Sequence, residues 1–149
     1  MIQFVQATIA DMQQVLTFME AFYAIDGYDF EEERARANAE NLISNEHLGR
    51  LWLLKLYNEP VGYLALTFGF SFEYGGRDAF IDELYLDEAF RNRGYGTKIL
   101  QQLDAEAGAL DIKAIHLEVE GHNHRGKRLY KKSGFASNDR TLMTRRLGN

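Results

Sequence analysis

The segment Arg91-Asn92-Arg93-Gly94-Tyr95-Gly96-Thr97 lies between a strand-like stretch and the apolar pattern of a helix. Gly94 and Gly96 let the backbone approach a ligand closely and adopt dihedral angles that other residues avoid. The helix that begins here presents N–H groups without intrahelical partners and the positive end of its dipole, and Arg91 and Arg93 add charge. The sequence therefore predicts a phosphate or pyrophosphate site at this turn. The alternative is a glycine-rich turn with solvated arginines.

Two other phosphate-binding signatures match the sequence less well. A Rossmann fingerprint needs a third glycine three residues after Gly96, where Ile99 stands. A P-loop needs Ser or Thr after its Gly-Lys pair, whereas the matching residues 121–127 are followed by Arg128, which cannot ligate magnesium. The loop at Gly94 is therefore the candidate anion site, and a nucleotide such as ATP is the weaker alternative for it.

The stretches around this loop predict a single α/β (α+β) domain with a mixed, mostly antiparallel sheet flanked by helices. Three apolar strands with short turns between them, at 50–57, 61–72 and 79–86, predict an antiparallel meander. The sequence also predicts strands at 2–7 and 113–120, one or two strands within 135–147, and helices at 9–26, 29–45, 97–110 and 123–132. Because no repeat or linker interrupts this pattern, residues 1–149 are predicted to form one domain.

The third strand of the meander carries two acids among apolar residues. Its period of two predicts one face with Phe80, Asp82, Leu84 and Leu86 and another with Ile81, Glu83 and Tyr85. Each acid then interrupts an apolar face, which costs free energy unless the acid is paired or used. A bulge in the strand would upset this alternation. Both acids are candidates for a functional site, and structural ion pairs are the alternative.

Composition excludes several classes of protein. The chain has no cysteine, so a disulfide scaffold, a thiolate zinc site and a cysteine nucleophile are excluded. Its apolar and charged fractions, 46% and 26%, are those of a globular domain. We expect a cytoplasmic protein without a membrane partner, because no leader-like segment begins the sequence and no stretch approaches the roughly 18 apolar residues of a membrane span.

Charge is divided unevenly along the chain. Residues 1–90 contain 16 acidic and 5 basic residues, whereas residues 91–149 contain 6 acidic and 12 basic residues. An acidic half suits a cationic partner, and a basic half suits an anionic one. Nucleic acid is not expected as a partner, because the basic residues are interleaved with apolar helix and strand positions and the whole chain has a net charge of -5.

Two motifs resemble those of the GNAT N-acetyltransferase superfamily. Arg91-x-x-Gly94-x-Gly96 resembles the family's acyl-CoA pyrophosphate motif, Gln/Arg-x-x-Gly-x-Gly/Ala. The residues Asn123, Gly126, Leu129, Tyr130, Gly134 and Phe135 resemble its later motif, N-x-x-A-x-x-L-Y-x-x-x-G-F, with glycine in place of alanine. The order of strands and helices also fits, so the resemblance covers nearly the whole chain and implies a GNAT-like fold.

The resemblance implies acetyl-CoA as the cofactor. In such proteins the pantetheine arm pairs with the backbone of the strand before the loop, here the residues Leu84, Tyr85 and Leu86. The pyrophosphate would be held by N–H groups of residues 92–97, aided by Arg91. Asn123 would contact the pantetheine or adenylate part. Coenzyme A is strongly anionic, which suits the basic half of the chain.

The resemblance also implies catalytic roles. Tyr130 would donate a proton to the departing thiolate, the alternative being a core tyrosine. Asp82 stands where diamine acetyltransferases have an acid and would accept the proton of the amine, with Glu83 as the second candidate. Direct attack of the amine on bound acetyl-CoA in a ternary complex is expected, since no cysteine can form an acyl-enzyme. No metal is expected, because the pair His122-x-His124 has no matched acid or third histidine.

The N-terminal half is predicted to supply the acceptor pocket. The candidate substrate-binding residues are Tyr23, Asp26 and Asp82, and further aromatic and acidic candidates are Tyr28, Glu31, Phe68, Phe70, Phe72, Glu73 and Tyr74. Aromatic rings beside acids suit an organic cation, so we predict a small primary amine such as a polyamine, a diamine or a lysine-like molecule. The alternatives are a protein N-terminal or lysine acetyltransferase and a non-catalytic module that binds acyl-CoA or an amine. A homodimer is left open.

Overall fold

A computed structural model describes residues 1–148. Its strands are β1 (Ile2–Gln6), β2 (Gly49–Leu56), β3 (Glu59–Ser71), β4 (Gly76–Leu86) and β5 (Ala114–His116). Its helices are α1 (Met12–Ile25), α2 (Glu32–Ser44), α3 (Tyr95–Ala109) and α4 (His124–Lys132), with single 3-10 turns at Ile9–Asp11 and Glu88–Phe90. No helix in this part of the chain is both long and apolar enough to cross a membrane.

The strands form one five-stranded sheet in the order β1-β2-β3-β4-β5. The first four strands pair antiparallel with their neighbours, and β5 joins β4 in parallel. Parallel neighbours need a crossover, which α3 supplies between β4 and β5. This confirms the predicted mixed, mostly antiparallel sheet flanked by helices.

Each face of the sheet carries its own hydrophobic cluster. On one face, Trp52 and Leu54 of β2 pack with Ile99 and Leu103 of α3. On the other face, alternate residues of the same strands, such as Leu51, Leu53 and Tyr63, pack with the helices α1 and α2, through residues that include Val15, Leu16 and Ala39. The alternation of side chains along a strand therefore gives both layers of helices an apolar surface.

The pairing of β4 with β3 contains a bulge at Asp82. Ala65 pairs with Glu83, but the next residue of β3, Leu66, pairs with Ile81, so Asp82 is the extra residue. The predicted alternation is therefore wrong across this point. Ile81 joins Leu84 and Leu86 in the cluster on the α3 side, whereas Tyr85 belongs to the cluster on the α1 side. An inserted residue shifts the side-chain parity of everything after it.

The ends of several elements differ from the prediction. Ile9 lies in a 3-10 turn and is 55% exposed, so it is not part of the buried face of α1. The strand expected at 113–120 is regular only over Ala114–His116. The segment 135–148, expected to form one or two strands, contains no strand among its described residues. Alternating residues alone do not create a ladder, because each strand needs a hydrogen-bonded neighbour.

Candidate active site

A cleft of about 980 Å³ opens where β4 and β5 separate. The two strands pair only from Asp78–Ala114 to Phe80–His116, whereas β4 continues to Leu86. The cleft is lined by β4 residues from Ile81 to Leu84, by residues 117–121 and by side chains from the α1–α2 region and α4. One edge of this part of β4 is paired with β3, and the other is free of β5. The predicted pantetheine-pairing residues Leu84, Tyr85 and Leu86 lie on this strand end.

The loop before α3 has the backbone shape expected of an anion site. Asn92 has φ 64° and Gly94 has φ 81°, both in the left-handed region. Gly94 is the N-cap of α3, and the N–H of Lys98 donates to its carbonyl at 3.4 Å. The N–H groups of residues 95–97, Tyr95 to Thr97, therefore precede the first intrahelical hydrogen bond. They present three donors and the positive end of the dipole where the sequence predicts a pyrophosphate.

The two glycines of the loop have different structural roles. A Cβ added to Gly94 would have no atom within 4 Å, so Gly94 is required for its dihedral angle and leaves open space in front of it. A Cβ added to Gly96 would lie 2.9 Å from Cδ2 of Leu129. Gly96 therefore allows α3 and α4 to approach each other, a role that the sequence analysis, which assigned both glycines to ligand approach, did not identify.

The two arginines of the loop contact the strand and turn before it. The Nε of Arg91 donates to the carbonyl of Leu86 at 2.8 Å, and its guanidinium lies 5.4 Å from the centre of the Tyr85 ring. The guanidinium of Arg93 lies 5.9 Å from the ring centre of Phe90. Arg91 thus fixes the loop to the end of β4 through a hydrogen bond and a cation–π contact.

Asn123 caps α4 and lines the cleft. Its Oδ1 accepts a hydrogen bond from the N–H of Gly126 at 2.9 Å. A Cβ added to Gly126 would lie 2.5 Å from the Nδ2 of Asn123. The glycine in place of the motif's alanine therefore avoids a clash with the capping side chain of Asn123. Because the Oδ1 of Asn123 already accepts from the helix, its amide nitrogen is the atom left for the predicted contact with the cofactor.

Tyr130, the predicted proton donor, lines the same cleft. Its ring packs edge-on against Phe135 at 6.0 Å between centres. Burial raises the pKa of its hydroxyl, so the phenol keeps its proton at neutral pH. Within residues 1–148 this hydroxyl makes no hydrogen bond, which leaves it available to a ligand.

The bulge separates the environments of the two adjacent acids of β4. Asp82 lies at the cleft, and partial burial raises the pKa of its carboxyl. Glu83 points to the α1 side, where its Oε2 accepts a hydrogen bond from Tyr23 at 2.6 Å and its Oε1 accepts one from Tyr63 at 2.8 Å. Burial raises the pKa of Glu83, and the two tyrosine donors oppose that rise. Tyr63 was not among the predicted site residues. The alternation along β3 places it on this face, but its contact with Glu83 depends on how β3 pairs with β4.

The predicted acceptor residues are only partly brought together. Tyr23 and Asp26 line the cleft, but the Oδ1 of Asp26 accepts a hydrogen bond from Nε2 of His122 at 2.9 Å, and Tyr28 donates to Glu120. These two contacts join the α1–α2 loop to the segment after β5. The expected contribution of the β3–β4 hairpin is wrong: among Phe68, Phe70, Phe72, Glu73 and Tyr74 none lines the cleft.

The cleft has a strongly negative lining. Of the described residues that line it, seven are acidic (Asp26, Asp29, Glu31, Asp82, Glu83, Glu118 and Glu120) and two are arginines (Arg34 and Arg146). Five of these acids come from the acidic half of the sequence. Asp29, Glu118 and Glu120 were not predicted as site residues. Among residues 1–148 no group of three or more His, Cys, Asp or Glu side chains has the geometry to hold a metal ion.

Comparisons with known proteins agree with this architecture. A sequence profile of the acetyltransferase (GNAT) family matches residues 14–135. An uncharacterized N-acetyltransferase of Bacillus subtilis, YycN, is 34% identical over 98 residues, which cover 65% of this chain and 61% of that protein. The matched region covers 61% of the length of YycN and 48% of the length of YdgE, a second uncharacterized N-acetyltransferase of Bacillus subtilis.

Solved structures share the fold over almost the whole chain. An integron cassette protein from the mobile metagenome of Cole Harbour salt marsh superposes with a TM-score of 0.86 at 30% identity, covering 99% of this chain and 91% of that one. A predicted acetyltransferase of Clostridium acetobutylicum, solved with acetyl-CoA, has a TM-score of 0.79 at 22% identity and covers 97% of this chain and 96% of that one.

Proposed function

Because the chain belongs to the acetyltransferase (GNAT) family, we propose that it is an N-acetyltransferase that moves the acetyl group of acetyl-CoA to a small cationic primary amine. The observation that carries this proposal is one cleft that holds the bulged carboxylate Asp82 and the phenol of Tyr130, which has no hydrogen-bond partner within residues 1–148. A pure binding module would need neither group. The full activity and its substrate are proposals, since the curated relatives are longer than the matched region.

The backbone of this chain fits acetyl-CoA at two places. The free edge of β4 beyond Phe80 offers strand-like hydrogen-bonding groups to the amides of pantetheine. The N–H groups of residues 95–97, beside the open space at Gly94, fit a pyrophosphate. Acetyl-CoA supplies an acetyl group activated as a thioester.

The side chains of the cleft then divide the proton transfers. An amine of the lysine type is protonated at neutral pH, with a pKa of about 10.4, and must lose a proton before it attacks. Asp82 accepts that proton, directly or through a water, and its raised pKa brings the carboxyl closer to the working pH of a general base. The amine nitrogen bonds to the acetyl carbon, and the carbon–sulfur bond breaks as Tyr130 donates its proton to the sulfur. The nitrogen releases its second proton to solvent as the amide forms, and Tyr130 takes up a proton from solvent.

The lining charge supports a cationic acceptor. Seven acidic residues against two arginines attract an ammonium group and repel an anionic acceptor. Phe22 and Tyr23, which both line the cleft and whose ring centres lie 6.1 Å apart, add aromatic surface beside these acids. We therefore place polyamines, diamines and lysine-like molecules ahead of neutral or acidic acceptors.

Turnover with a panel of amines tests the proposal. Purified protein is mixed with acetyl-CoA and with putrescine, spermidine, lysine or a peptide bearing a free N-terminus, and released thiol and acetylated product are measured together. We expect product with a small amine and a much lower rate of product formation after Asp82→Asn. Binding of acetyl-CoA without thiol release on any acceptor would establish a non-catalytic module instead, and acetylation of the peptide alone would establish a protein acetyltransferase.

A further inference from the structure

The two adjacent carboxylates of β4 differ in their hydrogen bonds: Glu83 accepts two from side chains, and Asp82 accepts none from the described residues. Both oxygens of Glu83 accept from tyrosine hydroxyls, Oε2 from Tyr23 at 2.6 Å and Oε1 from Tyr63 at 2.8 Å. Asp82, the bulged residue, accepts no side-chain hydrogen bond within residues 1–148, and partial burial is what raises its pKa. The two acids are therefore not interchangeable candidates for one role.

Tyr63 is held rigidly behind Glu83. Its side chain is fully buried in the cluster between the sheet and α1. The rings of Phe22 and Tyr85 lie 6.3 Å and 6.1 Å from its own. Tyr63 does not line the cleft, whereas Glu83 does. Any influence of Tyr63 on a bound amine must therefore pass through the carboxylate that it holds.

We propose that Tyr63 is a positioning residue: together with Tyr23 it holds Glu83 as a fixed anion that receives the ammonium group of the acceptor, while the neighbouring Asp82 accepts the proton. This inference rests on the proposed function. Two neutral donors can fix a carboxylate without neutralising its negative charge, as a cationic partner would. It can attract a cation, and the two tyrosine donors oppose its protonation.

The groups that face Glu83 come from four elements. Three of these elements contact or act on Glu83 directly, through Tyr23 of α1, Tyr63 of β3 and Asp82 of β4. The fourth, α2, contributes Arg34, which acts on Tyr23 and not on Glu83 itself. Burial and Asp82 favour the neutral carboxyl, and the two tyrosine donors favour the carboxylate. Removing the Tyr63 hydroxyl takes away one of the two stabilising donors, so the pKa of Glu83 rises. The anion is then lost as the pH falls through that higher pKa and is regained as the pH rises.

The test is Tyr63→Phe, compared with Leu53→Val as the matched control. Leu53 is buried in the same cluster, so the control weakens the core without touching Glu83. Initial rates are measured across pH with acetyl-CoA and putrescine, spermidine or lysine, whichever the parent protein acetylates best. We expect Tyr63→Phe to raise the KM for the amine about tenfold near neutral pH, the effect of one hydrogen bond to a charged group. The kcat should change little, and the difference in KM should shrink as the pH rises.

Two further measurements distinguish the effect of the Tyr63 hydrogen bond on Glu83 from an effect on the reaction itself. The carboxyl ¹³C shift of Glu83 is titrated without substrates in the parent and both variants, and only Tyr63→Phe should raise its midpoint. Glu83→Gln should raise the KM at every pH. If the Glu83 titration midpoint is the same in Tyr63→Phe as in the parent, Tyr63 does not hold Glu83 as an anion. If the midpoint changes but the KM does not, Glu83 does not bind the amine. A KM rise equal to that of Leu53→Val also overturns the positioning role. If the parent acetylates no amine, the proposed function fails and this inference fails with it, whereas an active parent with an unaffected variant removes only the role of Tyr63.

Discussion

Replacement of Gly94 by alanine tests the anion site with a control that the chain itself provides. Gly94 has φ 81° and Gly75, in the β3–β4 turn, has φ 88°. A Cβ added at either position has no atom within 4 Å. Both substitutions therefore impose the same backbone strain without a steric clash, but only Gly94 lies at the start of α3.

The expected loss of stability is similar for the two variants. A left-handed conformation costs a non-glycine residue about 1–2 kcal/mol, and the lower entropy of the unfolded alanine chain offsets about 0.4–1 kcal/mol of this. A net loss of about 1 kcal/mol lowers the Tm of a domain of this size by about 2–4 °C. Thermal unfolding without ligand measures it.

The affinity for acetyl-CoA should separate the variants. In Gly94→Ala either the methyl group enters the space in front of the loop or the backbone relaxes and turns the N–H groups of residues 95–97 away. The loss of one charge-assisted hydrogen bond, about 1.5–3 kcal/mol, weakens binding by about tenfold or more. Gly75→Ala should bind as the parent does. Calorimetric titration with acetyl-CoA decides the matter, and equal affinities of the two variants would refute the assignment of the pyrophosphate to this loop.

Three other substitutions probe the same cleft. Tyr130→Phe should lower kcat by about 100-fold or more and leave acetyl-CoA affinity unchanged; an unchanged kcat would remove its role as proton donor. Asp82→Asn should abolish the acid limb of the pH–rate profile, because the raised pKa of this carboxyl makes the parent lose its base as the pH falls; a parent-like profile would place the base elsewhere. Gly96→Val should weaken acetyl-CoA binding and stability together, because its Cβ meets Leu129, and trimming that neighbour with Leu129→Ala should restore part of the binding; no recovery would argue against the contact as the cause.

The fold was predictable where local pattern and tertiary structure agree. The meander of β2, β3 and β4 follows from apolar strands with short turns, and α3 follows from an apolar stripe after a left-handed glycine. The loop at residues 91–97 was predictable because positive φ values demand glycine or asparagine, and Asn92 and Gly94 meet that demand. The strand expected at 113–120 forms only over Ala114–His116, and no strand forms within 135–147. Both predictions depended on a neighbouring strand, which no periodicity reveals.

The candidate site was predictable only as a set of residue types. Only the family resemblance ranked Asp82 ahead of Glu83 as the base, since the period of two assigns the two acids to opposite faces but not to partners. The hydrogen bonds of Glu83 reach 20 and 60 residues along the chain, to Tyr63 and Tyr23. Contacts of that separation depend on how β3 and α1 pack against β4, so they appear only in three dimensions.

The bulge at Asp82 explains how an apolar strand tolerates two consecutive acids beside a reaction site. In a regular strand, one of the acids would share a face with Ile81 or Leu84 and would enter the cluster against α3. The extra residue lets Ile81 and Leu84 lie on that same face, while Glu83 turns to the tyrosines and Asp82 leaves the ladder. Since an unpaired buried carboxylate is costly, the bulge removes the penalty that regular pairing would impose. The bulge also lies beside the Leu66–Ile81 pair, close to Phe80, where β5 stops pairing with β4. One local irregularity therefore coincides with both the exposed acid and the opening of the cleft.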